Sequence, residues 1–302
     1  MTKRNRQFSV TLVMVVFLAA HALEITGQTS PVAVINQKEQ RVLKSGINGV
    51  TYQLYISLPK HYSPEDTIRY PVLYLLDGGM GFPVAHAART AMDVHDGLED
   101  LIIVGIEYEW KRSLAPWFTN RSRDFTPTKN SDFEKRAFYS RTFGLPEGSL
   151  LSGGGPEFLN VIRKEIIPFI DKAYKTTGER GISGHSLGGL FAGYCLFSAT
   201  DIFSRFGINS PSFWWDNREM FKIEKMFSER RRDLPAEVFL SVGGLEDSLM
   251  LPVITAFADT LASRKYRGLT LSRHIFEGET HMSVIPAMIS RTLRVLYGAK
   301  KE

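Results

Sequence analysis

A serine set between glycines, Gly184-His185-Ser186-Leu187-Gly188, constrains the fold of this 302-residue chain more than any other feature. The short stretch Arg180-Gly181-Ile182-Ser183 runs directly into it, and a helix-compatible segment from Gly189 to Ser198 follows. A strand, a sharp turn that strains a serine, and then a helix make the context of a nucleophile elbow. Such a turn crowds both neighbours of the serine, which suits glycine at 184 and 188, and Gly189 continues the run of small residues. G-x-S-x-G alone is common by chance. Preceded by a strand and followed by a Gly-Gly step, it is a strong signal.

The rest of the chain supplies the sheet such an elbow needs. Arg41 to Pro59 reads as extended structure, with Val50, Tyr52, Leu54, Ile56 and Leu58 alternating against polar or aromatic neighbours. Residues 71–77 and 101–106 are short, nearly continuous apolar runs, as buried parallel strands are. A helix over Pro83 to Met92 between them completes a βαβ unit. Phe158, Val161, Ile162, Ile166 and Ile170 follow helical spacing, with Pro168 as a kink point. Past the elbow, strands at 205–209, 237–242 and 269–276 alternate with helices at 251–264 and 283–297. The pattern predicts one doubly wound, mostly parallel α/β domain spanning residues 29–302. Its size and 43% hydrophobic content allow a sizeable core without metals or disulfides. The single cysteine, Cys195, falls in the apolar helix after the elbow and reads as a buried thiol.

One segment breaks the alternation. From about 110 to 156 the chain is rich in aromatics, carries eight basic against three acidic residues between 110 and 141, and ends in Gly153-Gly154-Gly155-Pro156. An insertion after a parallel strand lies at the carboxyl edge of the sheet, where ligands bind, so a lid or pocket wall is expected there.

The N-terminus has a different character. Lys3, Arg4 and Arg6 precede an apolar run from Phe8 to Leu23, and small or polar residues follow from Thr26 to Ser30. That order predicts a secretory signal peptide over residues 1–28 and an exported, periplasmic or secreted protein, without stable membrane insertion once the leader is removed; a membrane anchor is the alternative, for which the apolar run is short. Loss of the leader would take the net charge from +5 to +3, too weak to suggest nucleic acid.

Serine becomes a useful nucleophile only when a base takes its proton and a third group orients that base. In α/β-hydrolases the partners follow in the order serine, acid, histidine. His281 lies after the last expected strand and before the final helix, where the base belongs. Asp247 lies just past the preceding strand as the orienting acid, with Glu246 as the alternative. Of the oxyanion donors, one is expected from the Leu187 N–H. The other is expected from the glycine turn after Asp77, with Gly79 first and Met80 next. His185 reads as packing. No paired His/Cys spacing suggests a metal, and no cofactor is expected.

With these residues identified, the chain resembles the esterase family of α/β-hydrolases that includes the periplasmic and cytoplasmic ferric-enterobactin esterases, with esterase D a more distant relative. The similarity runs from about Tyr70 to the C-terminus. Residues 71–78, Arg123-Asp124-Phe125-Thr126-Pro127, 165–170, 184–189 and Ser210-Pro211-Ser212-Phe213-Trp214-Trp215-Asp216 carry it. The resemblance implies carboxylic-ester hydrolysis with Ser186 as nucleophile and His281 as base, a small-molecule ester as substrate, and a cleft bordered by Arg123, Trp214 and Trp215. A basic, aromatic-lined cleft would suit an anionic aromatic ester such as a ferric catecholate, although relatives with these motifs cleave simple acyl, acetyl or feruloyl esters. An acyltransferase on the same fold, separable by product analysis with an acceptor alcohol, is the first alternative. A non-catalytic binding module, separable by covalent labelling with a fluorophosphonate, is the second.

Overall fold

Eight strands form one sheet in the order β1-β2-β4-β3-β5-β6-β7-β8. They come from a computed structural model that describes residues 38–65, 67–93, 97–109, 114–247 and 249–299. The leader expected at residues 1–28 lies outside those residues. The strands are β1 (Lys38–Lys44), β2 (Thr51–Ser57), β3 (Tyr70–Leu76), β4 (Ile102–Tyr108), β5 (Thr176–His185), β6 (Arg205–Asn209), β7 (Asp233–Gly243) and β8 (Arg267–Phe276). β1, β2 and β4 pair antiparallel, and β4-β3-β5-β6-β7-β8 pair parallel throughout. The extended stretch read at 41–59 is therefore a hairpin. Ser45–Val50 forms its turn, closed by Ser45 N–H donating to the Val50 carbonyl at 2.8 Å.

Every residue of β3 and β4 is buried, as their unbroken apolar runs require of strands covered on both faces. α1 (Gly78–Met92) and α10 (Ile285–Tyr297) cover one face through Phe82, Ala85, Met288, Leu293 and Leu296. The larger core on the other face takes in α7 (Leu187–Ser198), α8 (Trp215–Arg230) and α9 (Leu251–Arg264). α1 begins five residues before the helix read from sequence, so the glycines after Asp77 are its first turn rather than a separate loop. Asp77 caps it in the left-handed region at φ 54°.

The insertion after β4 folds into α2 (Leu114–Asp124), α3 (Ser131–Glu134) and α4 (Ala137–Phe143), and the chain then returns through α5 (Gly155–Val161). A π-helical turn, Ile162–Ile166, separates α5 from α6 (Ile167–Ala173). Pro168 explains it. A proline ring collides with the carbonyl four residues back and offers no N–H, and one wide turn absorbs both defects. Cys195 is fully buried, as expected.

Candidate active site

β5 delivers Ser186 to the carboxyl edge of the sheet, and α7 starts at the next residue. Ser186 has φ 61° and ψ −119°, a backbone conformation sparsely populated by residues other than glycine. The chain turns so tightly that a Cβ on Gly184 would stand 2.4 Å from the Gly188 carbonyl group. Three bonds fix the strained residue: its N–H donates to the Asn209 carbonyl at 3.1 Å, and its carbonyl accepts from Ser212 N–H at 3.0 Å and Leu190 N–H at 2.9 Å. The hydroxyl projects within 3.4 Å of Ser212 Oγ.

His281 follows β8, and its Nδ1 lies 2.8 Å from Glu246 Oε2. Glu246 is thus the carboxylate that meets the histidine, and Asp247, the first choice from sequence, is not. The reason is orientation at the end of β7. The Glu246 side chain turns inward and is fully buried, whereas Asp247 is exposed and uses Oδ1 to accept the Leu249 and Met250 N–H groups ahead of α9. The other Glu246 oxygen accepts Gly243 N–H at 2.8 Å and the Ser210 hydroxyl. Burial pushes the Glu246 carboxyl up, but the bonds from His281, Ser210 and Gly243 outweigh it and hold the group below its usual value. Glu246 is therefore an anion facing Nδ1, which leaves Nε2 of His281 as the ring's acceptor.

The His281 ring packs on His185, with centroids 4.4 Å apart. Burial, then His281 and Arg121, hold His185 well below the usual histidine range, so a neutral ring supports His281. Among the described residues no hydrogen bond joins His281 to Ser186. Catalytic hydrogen bonds are often long in an empty site and tighten around substrate.

Two ion pairs were not legible beforehand. Arg121 of α2 grips Asp77 with two bonds of 2.7 Å and donates to the His185 carbonyl at 3.2 Å, tying the insertion to both β3 and the elbow. Arg123, expected at the cleft, spends its guanidinium on the adjacent Asp124, whose other oxygen accepts the Tyr52 and Tyr108 hydroxyls. Trp215, also expected at the cleft, has no exposed surface. Its indole N–H donates to Thr128 and its ring meets Phe133, so it is a core residue rather than a lining one. Trp214 is half-buried. Of the insertion's cations, Lys129, Lys135, Arg136 and Arg141 remain exposed.

Leu187 opens α7, so its N–H is one of the helix's unpaired first-turn donors. The expected second donor is differently placed. Gly79 N–H donates to Glu107 Oε2 at 2.7 Å, and Met80 N–H donates to the Asp77 carbonyl at 3.1 Å. The cavity that touches the elbow, lined by Asp77, Met80, His185 and Met288 among others, holds only about 20 Å³ and lies under it. Larger hollows of about 470 and 490 Å³ lie along α9 and β8 and between α7 and α8, away from Ser186. Ser186 is half-buried and His281 keeps 36% of its side chain exposed, so both are open to solvent. Among the described residues no group of three or more His, Cys, Asp or Glu could hold a metal ion.

The mostly parallel sheet and its elbow define an α/β-hydrolase. The chain belongs to the Putative esterase family, which it matches over residues 45–142 and 149–284, and it is a carboxylic ester hydrolase. It is 32% identical to the ferri-bacillibactin esterase BesA of Bacillus subtilis, over 89% of this chain and 92% of that protein. It is 27% identical to a siderophore triacetylfusarinine C esterase of Aspergillus fumigatus, over 89% and 95%. Among solved structures, the BES protein of Bacillus cereus superposes with a TM-score of 0.72 at 30% identity, covering 86% of this chain and 94% of that one.

Proposed function

We propose that the chain is an exported serine esterase that works through an acyl-enzyme on Ser186 and acts on siderophore-type esters. The observation that carries the mechanism is the 2.8 Å bond from His281 to a fully buried Glu246, with the His281 ring packed on His185, the neighbour of a serine in a strained elbow. Glu246 fixes the tautomer in which His281 Nε2 accepts the serine proton. Ser186 Oγ attacks the ester carbonyl, and the Leu187 N–H meets the developing oxyanion, with Gly79 N–H as the second donor once Glu107 gives it up. His281 passes the proton to the leaving alcohol, which departs. Water then attacks the acyl carbonyl, giving a proton to His281, which returns it to Ser186 as the acid is released.

The substrate class rests on the curated relatives, two of which are named for siderophore esters. Half-buried Trp214 and the exposed Lys129, Lys135, Arg136 and Arg141 favour an anionic aromatic ligand over a neutral aliphatic one. Export rests on the composition of residues 1–28. No helix among the described residues is long and apolar enough to cross a membrane.

A panel of short acyl, feruloyl and cyclic catecholate trilactone esters, assayed on purified protein with and without an acceptor alcohol, tests this reading. The expected result is hydrolysis of all activated esters, the highest kcat/KM on the catecholate trilactone, and no acyl transfer. Preference for short acyl esters would refute the substrate class. Accumulation of transferred product would make the protein an acyltransferase.

A further inference from the structure

Glu107 is a buried carboxylate that takes no part in the proton transfers of the acyl-transfer steps. It lies near the end of β4 and is 2% exposed. Its Oε2 accepts the Gly79 N–H at 2.7 Å, while Oε1 accepts Tyr108 N–H at 2.8 Å and the Trp117 indole N–H at 2.9 Å. One carboxylate therefore joins the first turn of α1 to helix α2 of the insertion. A Cβ added to Gly79 would stand 2.6 Å from the same oxygen, so the contact leaves no room for an intervening group.

The surroundings pull Glu107 in opposite directions. Burial, then the neighbouring Asp77 carboxylate at the start of α1, push it up to about 7, although three donors favour its anion. Also facing it are Arg121 of α2, which is bound to Asp77, and the Tyr55 hydroxyl of β2.

We propose that Glu107 and the reaction's oxyanion compete for the Gly79 N–H, which makes Glu107 the residue that governs when the second oxyanion donor is available. The inference rests on the acyl-enzyme reading of Ser186. An N–H already bonded to one anion stabilises a second one poorly, and two anions on a single donor repel each other. Ionised Glu107 withholds the donor. Protonated Glu107 is a weaker acceptor and carries no charge, so it yields the N–H to the tetrahedral intermediate. Trp117 holds the carboxylate from the opposite side and favours its ionised form.

The test is the pH profile of kcat/KM on p-nitrophenyl acetate from pH 5.5 to 9.5, for the wild type, E107Q, W117F and S186A. The wild type is expected to lose activity by about tenfold per pH unit above about 7 as Glu107 ionises. E107Q should abolish that descending limb and exceed the wild type at pH 9. W117F removes one donor to the anion and should move the limb to higher pH. It changes only an indole N–H and ring size, so it serves even where E107Q folds poorly. A wild-type profile flat or rising between pH 7 and 9 would overturn the proposal, as would a W117F limb that does not move or an E107Q loss of equal size at every pH. S186A distinguishes the two readings: turnover surviving in S186A refutes the acyl-enzyme, whereas its loss alongside an unaltered limb refutes only the role of Glu107.

Discussion

Replacing Ser186 by alanine is expected to lower kcat on p-nitrophenyl esters by about 10⁴-fold or more, with the fold intact. The hydroxyl is the atom that becomes acylated, and nothing nearby replaces it. The adjacent Ser212 hydroxyl is 3.4 Å away but belongs to a buried residue whose N–H is bonded to the Ser186 carbonyl. Alanine at 186 keeps the backbone bonds to Asn209 and Ser212, so circular dichroism and Tm should change little. A kcat within tenfold of wild type would mean that a different nucleophile operates.

The acid gives the second large effect, and it separates two consecutive carboxylates. E246Q should lower kcat by about 10³–10⁴-fold. An amide has one donor end: turned toward His281 it favours the wrong tautomer of the ring, and turned toward Gly243 it sets a donor against the Gly243 N–H. D247N keeps an oxygen for the Leu249 and Met250 N–H groups and should leave kcat within threefold. D247A should lose about 1 kcal/mol of stability, because two N–H groups of the turn ahead of α9 lose their acceptor, with kcat preserved. Steady-state kinetics on both variants, with thermal melts, decides the assignment. A larger loss of kcat in D247N than in E246Q would reverse it.

Much of the framework could be read from residue order because buried parallel strands and an elbow leave local signatures. Apolar runs without alternation announced β3 and β4, and the glycines around Ser186 announced a turn that no side chain could enter. What depends on contacts between distant strands left no such trace. Glu246 and Asp247 are equally acidic and adjacent, and only the path of the chain leaving β7 turns one inward. Ser210 meets Glu246 because β6 and β7 are neighbours in register, which the spacing of 36 residues does not encode. The arginines of α2 illustrate the opposite error. Two of the cations that made the insertion look basic are internal, with Arg121 on Asp77 and Arg123 on Asp124, so local charge overstated what faces a ligand. Trp214 and Trp215 look alike in sequence, yet one is half-buried and the other is a core residue. Glu107 was hidden for a related reason: a lone carboxylate near the end of an apolar strand gives no sign that a glycine 28 residues earlier lies against it.

The most direct measurement of the central claim is intact-protein and peptide mass spectrometry after treatment with a fluorophosphonate ester. One phosphonyl adduct per chain is expected, on the peptide containing Ser186, with loss of esterase activity in proportion to labelling. Labelling should be absent in S186A and slowed in E246Q, where His281 is no longer held. An adduct that persists in S186A, or full inhibition with Ser186 unmodified, would contradict the account.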